Sequence, residues 1–125
     1  MSALLDTHAA IFLWEGRHEL FGPAAREVLE TEELLLSPFS RLEMAYLREI
    51  GRLIVEPDTV LGGLEADCAV RLTQDRVAEV VAQAMRLGWT RDPFDRLLVG
   101  TAMALGAKLV TRDRTIHEHF SGAVW

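Results

Sequence analysis

Short apolar runs alternate with longer segments of helical period along the whole chain, and this alternation leaves few folds open. Runs suited to buried strands occur at Ala3–Leu5, Leu34–Leu36, Ala69–Leu72, Leu109–Val110 and Ala123–Trp125. Between them the pattern predicts helices over Thr7–Glu15, Pro23–Thr31, Pro38–Arg52, Asp58–Glu65, Gln74–Leu87, Pro93–Leu105 and Arg114–Phe120. Val77, Val80, Val81, Ala84 and Met85 recur at helical spacing, and Gly88 and Gly106 stand where helices should stop. Strand and helix in strict exchange imply an α/β fold with a mostly parallel sheet covered on both faces. With no repeat or linker in it, the chain is expected to form a single domain over residues 1–125, large enough to bury roughly two thirds of its unfolded surface. Such sheets bind ligands beyond the carboxyl ends of their strands, so the residues standing there become the candidates.

Composition narrows the setting. The single Cys68 cannot form an internal disulfide, which points to a reducing, cytoplasmic location. No apolar run approaches the roughly 20 residues of a membrane span, and Met1–Asp6 lacks the basic region of a signal peptide. With 19 acidic against 13 basic residues the formal charge is −6, which argues against a broad basic face for nucleic acid. A nucleic-acid role would need positive charge from another source.

Acids stand at the expected strand ends. Asp6 follows the first strand and Asp113 the run Lys108–Val110; each is well suited to cap the next helix. Asp92 before Pro93 reads as a helix start, and Asp95 falls on the first turn of a helix that is apolar nearly all round and therefore buried. Glu43 shares a helical stripe with Phe39, Tyr46 and Leu47, where an ionised carboxylate must be paired, neutralised or bound to metal. Pairing with Arg41, Arg48 or Arg96 is the plain alternative. Capping has to be invoked separately for each acid, whereas one cation would account for Asp6, Glu43, Asp95 and Asp113, with Asp92 nearby. Two unit charges about 4 Å apart repel by roughly 4 kcal/mol at an effective dielectric near 20, and oxygen-only ligands suit Mg²⁺ or Mn²⁺.

At these positions the chain resembles the PIN-domain ribonucleases, and among them the VapC-like toxins of bacterial toxin–antitoxin pairs. The matching segments are Leu4-Leu5-Asp6-Thr7-His8, Ser40–Ala45, Arg91–Ala102 with its Arg-Asp-Pro-Phe-Asp-Arg stretch, and Leu109–Asp113. The resemblance implies a three-layer α/β/α sandwich with a small, four- to five-stranded, mainly parallel sheet. It also implies that Asp6, Glu43, Asp95 and Asp113 bind one or two divalent cations, Mg²⁺ or Mn²⁺, to hydrolyse RNA. An acid at Asp92 often joins them. A small antitoxin and a homodimer follow from the same resemblance, with no membrane association. Two bound divalent ions would bring the formal charge from −6 to −2. Little sequence follows Asp113, so Val124-Trp125 must supply the last strand.

Around the acids, Thr111, Arg112 and Arg91 are candidate substrate contacts, although salt bridges are as good a use for Arg96 and Arg112. His117 and His119, two apart, make a poor metal pair. The apolar succession Ile11-Phe12-Leu13-Trp14 suggests a dimer or antitoxin contact, or a deeply buried helix. Two other readings compete. One is a catalytically inactive interaction module of the same fold, which would have no need of all four acids. The other is a two-component receiver domain, which requires an Asp ending the third strand and a Lys ending the last, whereas Asp67 and Lys108 precede theirs.

Overall fold

In the computed structural model, which describes residues 1–125, β1 (Ser2–Leu5), β2 (Glu33–Leu36), β3 (Arg71–Leu72), β4 (Lys108–Val110) and β5 (Ala123–Val124) form one sheet in the order β3-β2-β1-β4-β5. Every neighbouring pair is parallel. The helices between them are α1 (Thr7–Trp14), α2 (Pro23–Thr31), α3 (Pro38–Glu49), α4 (Pro57–Cys68), α5 (Val77–Ala84), α6 (Pro93–Leu105) and α7 (Arg114–His119), with a 3-10 turn at His18–Leu20. All the expected elements are present, and Ala123–Val124 supplies the last strand. A receiver-type sheet would run 2-1-3-4-5; the observed order removes that alternative.

Local chemistry explains the helix boundaries. Each of the chain's four prolines opens a helix, where its missing N–H costs nothing. α6 stops at Gly106, whose φ of 63° lies in the left-handed region. Several expected boundaries shift: the helix expected over Pro38–Arg52 ends at Glu49, that over Asp58–Glu65 extends to Cys68, and two others change further. Ala69, expected in a strand, is instead the left-handed cap of α4 at φ 54°, so β3 keeps only two residues. The helix expected over Gln74–Leu87 shortens to α5, because Arg76 is extended (ψ 92°) and the Leu87 N–H bonds back to Ala84 rather than continuing the helical ladder. α3 ends at Glu49. Gly51, at φ 78°, reverses the chain so that the N–H groups of Arg52 and Leu53 both donate to the Leu47 carbonyl, at 2.8 and 3.2 Å. This reversal sends Arg52–Val55 along the carboxyl edge of the sheet.

The period of two along β1 separates the layers. Ala3 and Leu5 join one cluster with Ala10, Val28, Leu47 and Leu64 from α1 to α4. Leu4 joins another with Leu109, Val99 and Ala102 of α6 and Ile116 of α7. Together these give the three-layer α/β/α sandwich. Of the apolar stretch Ala9–Trp14, one part belongs to the core, while Ile11, Phe12 and Trp14 are half-buried and line a cleft at the carboxyl edge of the sheet. Ala9, Ala10 and Leu13 are buried, and Trp14 lies so close to Gly63 of α4 that a Cβ there would be 2.7 Å from the indole. Exposed apolar side chains gather on α3 and its C-cap (Leu42, Tyr46, Ile50) and on α5 and its C-cap (Val77, Val81, Met85), with Met1, Ile54, Leu72 and Leu105 exposed elsewhere. No helix is long and apolar enough to cross a membrane.

Candidate metal centre

Asp6, Asp92 and Asp113 do cap helices. Asp6 Oδ1 accepts from the Ala9 N–H at 2.7 Å, Asp113 Oδ1 from Ile116 at 2.9 Å, and Asp92 Oδ1 from Phe94 and Asp95 at 2.8 and 3.1 Å. Every one of these bonds is made by Oδ1, and Oδ2 takes no backbone donor. Capping and ligation are therefore compatible in these residues: the cap anchors one oxygen and leaves the other for a ligand.

These three acids, with Asp95 on the first turn of α6 and Glu43 on α3, line a single cleft of about 960 Å³ at the carboxyl edge of the sheet. Their charges act on one another. Burial first, and then the charges of Asp92, Asp113, Glu43 and Asp6, push the Asp95 pKa up to about 7. Burial also raises Asp6, against the hydroxyl of Thr111 and the Ala9 N–H, which favour its charged form. Glu43 is raised by burial too, against the Thr7 hydroxyl, which donates to its Oε1 at 2.6 Å. The arginines that could have neutralised Glu43 are engaged elsewhere: Arg41 with Asp58 and Arg48 with Glu56, both at 2.8 Å, and Arg96 with the Thr90 carbonyl. No Lys or Arg forms an ion pair with any of the five acids.

A cluster of carboxylates, with Asp6, Glu43 and Asp95 half-buried and Asp92 and Asp113 exposed, that repel one another and lack an organic cation fits a hard divalent ion by its donor chemistry, since every available ligand is an oxygen. As the side chains stand, no three of them close on a common point.

The remaining candidates fall in different places. Thr111 is fully buried and its Oγ1 accepts from the Asp113 N–H at 3.1 Å, so it supports two acids and offers no surface to a substrate. Arg112 is exposed and lines the cleft, whereas Arg91 turns to the Gly88 carbonyl at 3.1 Å and is not part of the cleft wall. Trp89 stacks on His119, and His117 bonds the Thr111 carbonyl at 2.6 Å.

Thr7 does not stand out in the sequence. The only available signal is its position directly after Asp6 on the first turn of α1; its pairing with Glu43, 36 residues away, is tertiary. If Glu43 contributes to holding an ion, Thr7→Val should weaken Mn²⁺ binding by about 10- to 100-fold, the usual cost of losing a hydrogen bond behind a ligand, while Thr7→Ser should retain most of it. Calorimetric titration of both variants checks this, and equal losses would show that the hydroxyl is not what matters.

A parallel α/β sandwich with uncompensated carboxylates at the carboxyl edge of its sheet defines a class of domain built to hold oxygen-seeking divalent cations. More particularly, residues 3–119 match the PIN domain family, and the chain belongs to it. It is 32% identical over 121 residues to Ribonuclease VapC22 of Mycobacterium tuberculosis (strain ATCC 25618 / H37Rv), an alignment covering 94% of this chain and 92% of that protein. Among solved structures it is similar in fold to a chain of VapBC2 from Rickettsia felis bound to a DNA fragment from their promoter. The TM-score is 0.66 at 13% identity, with 99% of this chain and 96% of that one covered. It is also similar to a chain of VapBC-1 from nontypeable Haemophilus influenzae, with TM-score 0.65, 17% identity, and coverage of 100% and 96%.

Proposed function

We propose that this chain is a divalent-metal-dependent endoribonuclease and the toxin of a toxin–antitoxin pair, working in the cytoplasm with RNA as substrate. The observation that carries the reading is the set of five acids from four chain segments in one cleft with no Lys or Arg paired to any of them. Family membership and the ribonuclease relative support it. The toxin–antitoxin relatives support a small antitoxin as partner, and a homodimer is part of the same reading.

Asp6, Asp95 and Asp113 would hold Mg²⁺ or Mn²⁺, with Glu43 and Asp92 completing the acidic wall. An ion there supplies positive charge for the phosphodiester and a more acidic water. Around it the chain's own residues do the positioning. Ala9 and Ile116 N–H groups fix one oxygen each of Asp6 and Asp113, and Thr111 holds the turn that carries Asp113. Thr7 orients Glu43 towards the cleft, where its raised pKa makes it a suitable base for the attacking water. In-line attack then cleaves the phosphodiester.

Thermal unfolding with and without metal tests the first step: at a hundredfold excess over Kd, Mn²⁺ or Mg²⁺ should stabilise the fold by about 2.7 kcal/mol. Cleavage of structured RNA should depend on the metal and be lost in Glu43→Gln. A chain that gains no stability from either ion and cleaves nothing is a binding module of the same fold.

A further inference from the structure

The acidic cleft has two arginines on its walls, and neither is neutralised. Arg112 follows β4 by two residues and Arg52 follows the Gly51 reversal after α3, so they come from segments behind the two strands that flank β1. Neither makes an ion pair, although five carboxylates line the same cleft and Arg112 is the direct neighbour of Asp113. Arg112 is held instead over the ring of Phe12, 4.8 Å from its centroid, which leaves the edge of the guanidinium and its N–H fork free. Arg52 is exposed, its side chain takes part in no hydrogen bond, and Ile54 beside it is 92% exposed. Arginines serving only to balance the acids would point at them. Arg112 is held in a stack on Phe12, and Arg52 is engaged by neither an ion pair nor a side-chain hydrogen bond.

From this we infer that Arg52 and Arg112 form a two-point clamp for the RNA backbone, each binding a phosphate that flanks the scissile one, on the walls of the cleft that the acids line. The ligand is a pair of phosphodiester anions on a single strand, for which the guanidinium fork is the best-matched side chain. The clamp gives an acidic protein the local positive charge that substrate docking requires, without the broad basic face its composition excludes. It rests on the ribonuclease reading above and adds the substrate contacts to it.

The test compares wild type, Arg52→Gln, Arg112→Gln, the double variant and Arg26→Gln, a control in a separate groove on α2. Binding of a fluorescent, 2′-O-methylated single-stranded oligoribonucleotide is measured across a series of salt concentrations, and cleavage of an unmodified RNA with Mn²⁺. Each cleft variant should lose about tenfold in affinity, as for one charged hydrogen bond, and reduce the slope of log K against log salt by about 0.7, one phosphate contact on a single strand. KM should rise with kcat little changed, and Mn²⁺ should stabilise every variant as it does the wild type. Arg26→Gln should match the wild type throughout.

Slopes and affinities that stay at the wild-type value while the wild type still cleaves RNA would overturn the clamp and leave the ribonuclease reading standing. RNA binding unchanged with weakened binding of an acidic peptide would overturn it in favour of a protein contact. A wild type that binds and cleaves no RNA would overturn both.

Discussion

At pH 8 and without divalent ions, Asp95→Asn should melt above the wild type, yet in Mn²⁺ it should cleave RNA at least about a thousandfold more slowly, since in the proposed site Asp95 would be a metal ligand worth several kcal/mol. The two effects have one cause. Asp95 sits half-buried among four other acids, and its pKa of about 7 means that ionising it in the fold costs free energy. Removing the charge recovers that cost, about 1–2 kcal/mol once screening of a half-exposed group is allowed for. Against this stands the loss of an acid from the first turn of α6, worth about 0.3–1 kcal/mol through the helix dipole. The first effect is the larger, so the melting temperature should rise by a few degrees. The variant should also gain less from Mn²⁺. Differential scanning calorimetry in both conditions decides it. A variant that melts lower than the wild type without metal would make Asp95 a structural carboxylate.

The dependence on pH should change sign with metal. Asp95 is raised from 3.8 in the unfolded chain to about 7 in the fold, so between those values the native state binds more protons than the unfolded state. Its contribution to metal-free stability is complete below about pH 4, is lost as pH rises through about 7 and is flat above. Burial raises Asp6 and Glu43 in the same sense. Metal reverses the slope, because a ligand must give up its proton before it can coordinate. At Mn²⁺ below Kd, cleavage should climb about tenfold per pH unit from pH 5 to 7, roughly a hundredfold in all, and then level off. Melting curves at pH 5, 6, 7 and 8 with and without Mn²⁺ provide the check. Parallel pH trends in the two series would show that the titrating acids do not hold the ion.

The chain order of its elements, its parallel sheet and four of its acids can be read from the sequence because each leaves a local mark: apolar period, proline at a helix start, an acid just after a strand. The boundaries that shift do so where no local mark exists. Ala69 adopts a left-handed conformation that nothing in its identity requires, and β3 is only two residues long because it pairs with one strand at the sheet's edge. For Asp6, Asp92 and Asp113, capping and ligation compete on paper but are compatible in the fold, each engaging a different oxygen. The apolar stretch Ile11–Trp14 exceeds what one helix face needs, and the fold divides it: Leu13 enters the core, Trp14 packs on Gly63 of α4, and Ile11 and Phe12 help to wall the cleft.

The sequence by itself determines which residues are acidic, which follow strands and which helix is buried, because backbone hydrogen bonding and apolar periodicity act over a few residues. Only the tertiary structure decides that Arg41, Arg48 and Arg96 turn away from Glu43, that Thr7 reaches it across 36 residues, and that Arg52 and Arg112 enter the acidic cleft unpaired. Charge pairing depends on distances between segments far apart in the chain, and those distances exist only once the sheet has set β1 between β2 and β4.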